Sequence, residues 1–323
     1  MKADSGSRER ASETGRGPVP LARFRGALLG LAVGDAFGAP VEFLTADEIK
    51  ARWGLLTEMV AGGCHDIARG ETTDATAMTL CLAESVVAQG SFDPEDVIAR
   101  YVAWFRTGPC DVGLTVRTAL LVMAAGTPWP RASRRAREVL GFPMSGNGSI
   151  MRCCPLALRY WDEPDERRDA TLQDSALTHF DHLAGWSCVA FNELIAAALG
   201  GDRDQLLTQL ATIAAGLDDE DARVATTLRE TPDTESQEVT VAAFVLDSLR
   251  AALWAVLSTD SFEAALIEIV NRGGDCDTIA AMTGALAGAL YGEDAIPARW
   301  LEPLTQRARI VAAADGLASL AGH

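Results

Sequence analysis

Residues 23–42 read RFRGALLGLAVGDAFGAPVE, an apolar run in which Gly26, Gly30, Gly34 and Gly38 recur at every fourth position and one carboxylate, Asp35, interrupts the hydrocarbon. That spacing lays the glycines along one face of a helix. A glycine inside a helix costs about 1 kcal/mol relative to alanine, so four in register mark a face where another backbone comes close. Gly284, Gly288 and Gly292 repeat the spacing in a second apolar segment. The expectation is two central helices in tight contact with each other, the alternative being small residues scattered through an Ala/Gly-rich chain.

The rest of the sequence carries the same period. Met78, Leu82 and Val86 form one amphipathic stripe, and Leu246, Leu249, Leu253 and Leu257 another. Alternating β-branched runs are scarce, so the chain reads as all-α. No internal domain boundary is visible between residues 21 and 323. The acidic stretch from Asp218 to Glu238 reads as a solvated helix end followed by a loop around Pro232. Residues 1–20 mix both charges without an apolar core, which predicts a disordered tail and no signal peptide.

Composition removes several function classes. Hydrophobic residues make up 48% and charged residues 23% of 323, the proportions of a globular chain rather than a fibrous or disordered one. With 28 Lys+Arg against 45 Asp+Glu, the net charge of −17 repels phosphate backbones, so nucleic acid is not expected as a partner. The apolar segments 279–291 and 27–39 are shorter than the roughly 20 residues needed to cross a bilayer, and Asp35 breaks the second. Seven cysteines, two of them adjacent at 153 and 154, do not form a complete disulfide framework, and a reducing cytoplasm is the expected compartment.

Carboxylates stand where apolar patterning would not put them. Asp35 and Glu42 are two turns apart if the first glycine-striped helix persists. Thr73-Asp74-Ala75-Thr76 precedes the run beginning at Met78, and Gly273-Gly274-Asp275-Cys276-Asp277-Thr278 precedes the second striped helix. Each of the last two fits ordinary N-terminal capping. Taken together with Asp35 and Glu42, they point to hard oxygen donors converging on a helical centre, as Mg²⁺ or Mn²⁺ requires. Four histidines are too few and too scattered for a zinc site, and Cys276 reads as a packing residue.

In order and spacing these motifs, with Gly108 to Gly113, Gly146 to Arg152 and Thr178-His179, resemble the ADP-ribosylglycohydrolases, over nearly the whole chain from Arg23 to about Leu304. Within that family the branch acting on dinitrogenase reductase is the most similar. The resemblance implies a single-domain orthogonal helical bundle with two Mg²⁺ or Mn²⁺ ions in a central cleft. It implies metal ligation by Thr73, Asp74, Asp275, Asp277 and Thr278, with Glu42 as a ligand or an acid beside the metals. Asp111 and Glu42 are implied as catalytic, and Gly113, Asn147, Gly148, Ser149, Met151 and His179 as substrate-binding. The implied substrate is an ADP-ribosylated protein, most simply arginine-linked, in a role of metabolic control or of immunity to an ADP-ribosyltransferase toxin.

One position departs from the pattern. The family motif is Thr-Asp-Asp-Thr, and this chain has Ala75 at its third place. Alanine offers no donor, so the resemblance implies weakened metal hold and hydrolysis reduced or abolished. Ala75 is either a natural loss or an inactivating replacement, and it admits a second reading, a protein that binds ADP-ribose or an ADP-ribosylated partner without cleaving it.

Overall fold

The computed structural model describes residues 19–322; residues 1–18, most of the expected tail, lie outside the described residues. The first helices are α1 (Leu21–Gly38), α2 (Ala46–Trp53), α3 (Asp74–Gln89), α4 (Pro94–Phe105), α5 (Leu114–Ala124) and α6 (Arg131–Leu140). Then come α7 (Cys154–Arg159), α8 (Pro164–Thr178), α9 (His182–Gly200), α10 (Arg203–Gly216) and α11 (Ala222–Glu230). The series closes with α12 (Val245–Ser258), α13 (Phe262–Val270), α14 (Cys276–Tyr291), α15 (Ala298–Leu301) and α16 (Arg307–Leu320). No strand is present among the described residues, as the scarcity of β-branched runs predicts.

The two glycine stripes face each other, and α1 and α14 run antiparallel through the centre. A Cβ added at Gly30 would lie 2.2 Å from the Gly284 carbonyl oxygen, one at Gly288 1.9 Å from that of Gly26, and one at Gly34 2.0 Å from that of Ala280. No side chain larger than hydrogen fits at these contacts. At the end of α1, Gly38 lies against the backbone of Asp277. The steric match therefore delivers the C-terminal end of α1 to the N-terminal end of α14.

Around this pair α16 packs on α1 and α3, and α9 packs on α8, α12 and α14. Helix α9 is the longest apolar helix, 19 residues, longer than either of the apolar segments 279–291 and 27–39. Its apolar window is 89% buried inside the bundle, the place of a core helix.

Two expectations change. The α1 helix stops at Gly38, and a single 3₁₀ turn, Ala39–Val41, carries the chain to Glu42, so Glu42 is not on the striped helix. The acidic stretch contains a helix of its own, α11, because Asp221 caps it by accepting from the Arg223 amide, and Val224 and Leu228, one turn apart, are buried.

Candidate metal centre and active site

The N-terminal ends of α3 and α14 meet the end of α1, and their acids meet with them. Asp35 is fully buried and points at the start of α3. Its carboxylate accepts from the amide and hydroxyl of Thr73 (3.0 and 2.8 Å) and from the amide and hydroxyl of Thr76 (3.0 and 2.5 Å). Capping of α3 and α14 by their own Thr73 and Asp275, the simple alternative, is thus not what occurs: neither makes a side-chain cap bond, and Asp35 caps α3 from another helix. Burial pushes the Asp35 carboxyl up to about 6 against the pull of four donors.

Oxygens of Glu42, Asp111 and Asp277 lie within 4.8 Å of one another. Burial drives Glu42 up to about 7, with the charges of Asp111 and Asp275 adding to it. Asp74 and Asp277 are held well above the ordinary carboxylate range, again by burial first, then by Asp111 and by Glu42 respectively. Asp275 is raised for the same reason, although Asn147 Nδ2 donates to it at 2.6 Å. Asp111 is raised by burial, against the pull of His65 and Arg117.

This arrangement fits divalent cations. Asp277 Oδ1 is buried and has no hydrogen-bond partner, a costly state for a carboxylate oxygen unless a cation faces it. Acids crowded this closely raise one another's pKa, and a hard dication relieves both the repulsion and the orphaned oxygen. Thr73 and Thr278 hydroxyls border the same acids. Thr73 donates its proton to Asp35 and so keeps its oxygen lone pairs free to accept. Ala75 is fully buried one residue after Asp74 and contributes no donor.

The loop 146–152 closes the other side. Asn147 Nδ2 bridges Asp275 and Ser248 Oγ (2.9 Å), and Met151 Sδ lies 4.0 Å from Thr278 Oγ1. Arg152, fully buried, pins the loop by donating to Gly148 O (3.1 Å), Thr178 Oγ1 (2.9 Å) and both a side-chain and the main-chain oxygen of Asp174. Gly148 is tightly packed here, where a Cβ would stand 2.9 Å from Val116 Cγ2 and 3.1 Å from His179 Cε1. His179 is buried and held neutral, its pKa pushed down to about 3 by burial and by Arg152. Ser149 Oγ accepts from Ser175 Oγ at 3.0 Å inside the core, and the Gly113 amide donates to Asp74 Oδ2 at 3.3 Å. Asp74 and Asp111 also line a cleft of about 610 Å³ with Glu71, Trp104 and Arg309.

Two residues escaped the sequence reading. His65 Nε2 stands 3.1 Å from Glu42 Oε2 and 3.7 Å from Asp111 Oδ1, and Cys64 Sγ stands 3.4 Å from the same glutamate oxygen. The histidines are few, but this one is at the acidic centre rather than scattered away from it. Its only local signal is the preceding Gly62-Gly63 pair, which marks a tight turn.

Comparisons with known proteins identify the family. The family model described as ADP-ribosylglycohydrolase matches residues 17–323. The ADP-ribosyl-dinitrogen reductase glycohydrolase of Rhodospirillum rubrum is 34% identical, over 95% of this chain and 99% of that protein. The ADP-ribosylarginine hydrolase Tri1 of Serratia proteamaculans is 32% identical, over 92% of this chain and 79% of that one. A solved structure titled ADP-ribosylglycohydrolase-related protein complex superposes with a TM-score of 0.78 at 36% identity, covering 93% of this chain and 98% of its own. The buried acids at the α1, α3 and α14 ends thus occur in a chain that matches such proteins almost from end to end, and the chain belongs to the ADP-ribosylglycohydrolase family.

Proposed function

We propose that this chain is built to hydrolyse the N-glycosidic bond of mono-ADP-ribosylated proteins, with arginine as the linkage residue, at a centre for two Mg²⁺ or Mn²⁺ ions. The carrying observation is the convergence of Glu42, Asp111 and Asp277 with one Asp277 oxygen left unpartnered. Arginine is favoured because relatives named for dinitrogen reductase and for ADP-ribosylarginine match over nearly the whole chain.

Asp74, Asp275 and Asp277, with Thr73, Thr278 and Glu42, would hold the cations. Bound there, the cations supply Lewis-acid charge stabilisation and a water of lowered pKa. Glycoside cleavage passes through an oxocarbenium-like state and needs a proton moved to the leaving group and another taken from water. Glu42, buried with a carboxylate oxygen close to those of Asp111 and Asp277 and 3.1 Å from His65 Nε2, is placed to hold or pass a proton at this point. Asp111, partly open to the cleft, stands on the solvent side of Glu42 and shares this work. Asn147 holds Asp275 in place, and the loop pinned by Arg152 presents Gly148 and Met151, with His179, to the ADP-ribose.

Ala75 removes one anionic donor, so this sequence hydrolyses slowly or not at all. The test is release of ADP-ribose from an arginine-ADP-ribosylated protein in Mg²⁺ or Mn²⁺, comparing this chain with Ala75→Asp. Glu42→Gln and Asp111→Asn are each added to the Ala75→Asp chain, and each is expected to lower its rate by about 10²-fold or more. Undiminished rates would refute the assignment of these two acids. A second reading, capture of an ADP-ribosylated protein without cleavage, is favoured by Ala75 alone. Micromolar binding of ADP-ribose with no turnover even in Ala75→Asp would select it. We also propose a reducing, cytoplasmic setting, supported by seven unpaired cysteines, and a role either in metabolic control or in immunity to an ADP-ribosyltransferase toxin.

A further inference from the structure

The segment 62–67 carries a second kind of donor to the acidic centre. Gly62 and Ile67 exchange both backbone hydrogen bonds (2.9 and 3.1 Å), and Gly62, Gly63 and Asp66 all have positive φ, at 109°, 80° and 49°. A chain that reverses in four residues needs such conformations, and glycine supplies two of them at no steric cost. Gly63 also lets the hairpin dock: a Cβ there would lie 2.8 Å from Pro40 Cα and 2.9 Å from the Ala39 carbonyl oxygen. The turn it touches, 39–41, is the one that ends in Glu42. The tip residues, Cys64 and His65, are thereby fixed against that glutamate from the solvent side, with Cys64 exposed and His65 partly so.

The donor atoms Cys64 Sγ, His65 Nε2 and a Glu42 carboxylate oxygen all lie within 4.8 Å of one another, with the glutamate oxygen 3.1 Å from the imidazole and 3.4 Å from the sulfur. Ligand atoms about 2.0–2.3 Å from a tetrahedral Zn²⁺ stand about 3.3–3.8 Å apart, so only small shifts are needed to enclose an ion. The chemistry is not that of the neighbouring centre. Thiolate and imidazole select Zn²⁺-like cations over Mg²⁺ and Mn²⁺, which bind oxygen.

We propose that Glu42, Cys64 and His65 form a site for a thiophilic divalent cation of the Zn²⁺ class, and that it shares Glu42 with the hard-cation centre so that the two compete. On binding, the cysteine thiol releases its proton to solvent and the sulfur forms the metal bond, while the imidazole coordinates in its neutral form. The competition, though not the site itself, rests on the reading of Glu42 as a ligand of the Mg²⁺ or Mn²⁺ centre. The loss of a carboxylate at position 75 weakens the hard-cation side of this contest and leaves the soft side intact.

The test uses the full chain stripped of metal. Titration with Cd²⁺ is followed by the thiolate-to-metal charge-transfer band in the ultraviolet, and Zn²⁺ affinity is measured against a chromophoric chelator. The expected result is one equivalent bound, a band absent in Cys64→Ser but present in Cys110→Ser, the other exposed cysteine, and Zn²⁺ affinity lowered about 100-fold or more in Cys64→Ser and in His65→Ala. Excess Mn²⁺ is expected to weaken Zn²⁺ binding in this chain, and more strongly in Ala75→Asp. A band that survives Cys64→Ser, or affinities within about threefold of the parent in both variants, would overturn the site. Zn²⁺ binding indifferent to Mn²⁺ would overturn the shared Glu42. None of these readouts depends on hydrolysis, so failure of the proposed activity leaves the result legible. Both side chains are at a hairpin tip outside the core, and equal melting temperatures of the metal-free variants would confirm that the losses are not unfolding.

Discussion

Replacing Ala75 by aspartate is expected to act on stability with opposite signs in the absence and presence of metal. Position 75 is fully buried in the first turn of α3, beside Asp74 and between Thr73 and Thr76, the two residues that Asp35 caps. In the metal-free chain the new carboxylate is expected to add its charge to the neighbouring acids, Asp74 first among them. Two like charges about 5 Å apart repel by about 3 kcal/mol at an effective dielectric near 20. Part of this is avoided by proton uptake, leaving a net loss of about 1–3 kcal/mol. With metal the term reverses. Removing an outer-shell partner of a metal ligand costs roughly 10–100-fold in affinity, so restoring a direct ligand is worth at least about 100-fold, or about 3 kcal/mol. The assay is thermal unfolding of parent and Ala75→Asp, each in chelator and in saturating Mn²⁺. At about 2–4 °C per kcal/mol, Ala75→Asp is expected to melt several degrees below the parent in chelator and at or above it in Mn²⁺. Equal shifts of the two proteins on adding metal would show that position 75 does not face the cations.

Three other outcomes follow from the structure. Gly284→Ala places a methyl 2.0 Å from the Gly30 carbonyl oxygen, backbone against backbone, and is expected to cost about 3 kcal/mol or more, a fall of about 6–12 °C in melting temperature with parallel loss of metal binding; a shift under about 2 °C would contradict the contact. Asp174→Ala strands the fully buried Arg152 guanidinium and is expected to cost about 3–5 kcal/mol, read from denaturant unfolding. Asp35, Glu42, Asp74, Asp111, Asp275 and Asp277 all hold their protons more tightly folded than unfolded, so the metal-free chain gains stability as pH falls from about 7 to about 5 and loses it as pH rises back. His179, held near 3, opposes this over the same range, while the buried Asp174, also raised, adds to the gain. Melting temperatures in chelator that rise with pH across this window would contradict the inference, and saturating Mn²⁺ is expected to flatten or invert the trend.

What the sequence made readable is what periodicity or motif spacing records. Helix–helix contact at backbone distance requires glycine at each turn, so the pairing of α1 with α14 is written as a four-residue repeat in both segments. The acids at 74, 275 and 277 are readable because they stand at helix starts next to apolar runs. The cap of α3 was not readable, because Asp35 reaches Thr73 and Thr76 across 38 and 41 residues and only the packed helices bring them together. The break between Gly38 and Glu42 follows from Pro40, which has no amide N–H to continue the helix, a signal that the glycine repeat overshadowed. Cys64 and His65 were missed because the hairpin follows from positive-φ turns, which carry no period.

The antiparallel glycine contact also makes the site an all-or-none assembly. A slip of one glycine step along α1 is four residues, about 6 Å, which is more than the 4.8 Å spread of the Glu42, Asp111 and Asp277 oxygens. No intermediate register keeps both the close approach and the metal centre. The Gly26–Gly288 crossing lies twelve residues, about 18 Å, from the end of α1 at Gly38, yet it sets the same register. Lesions that silence this protein are therefore as much at home at that remote crossing as among the acids, and random mutagenesis scored for metal binding would return both groups together.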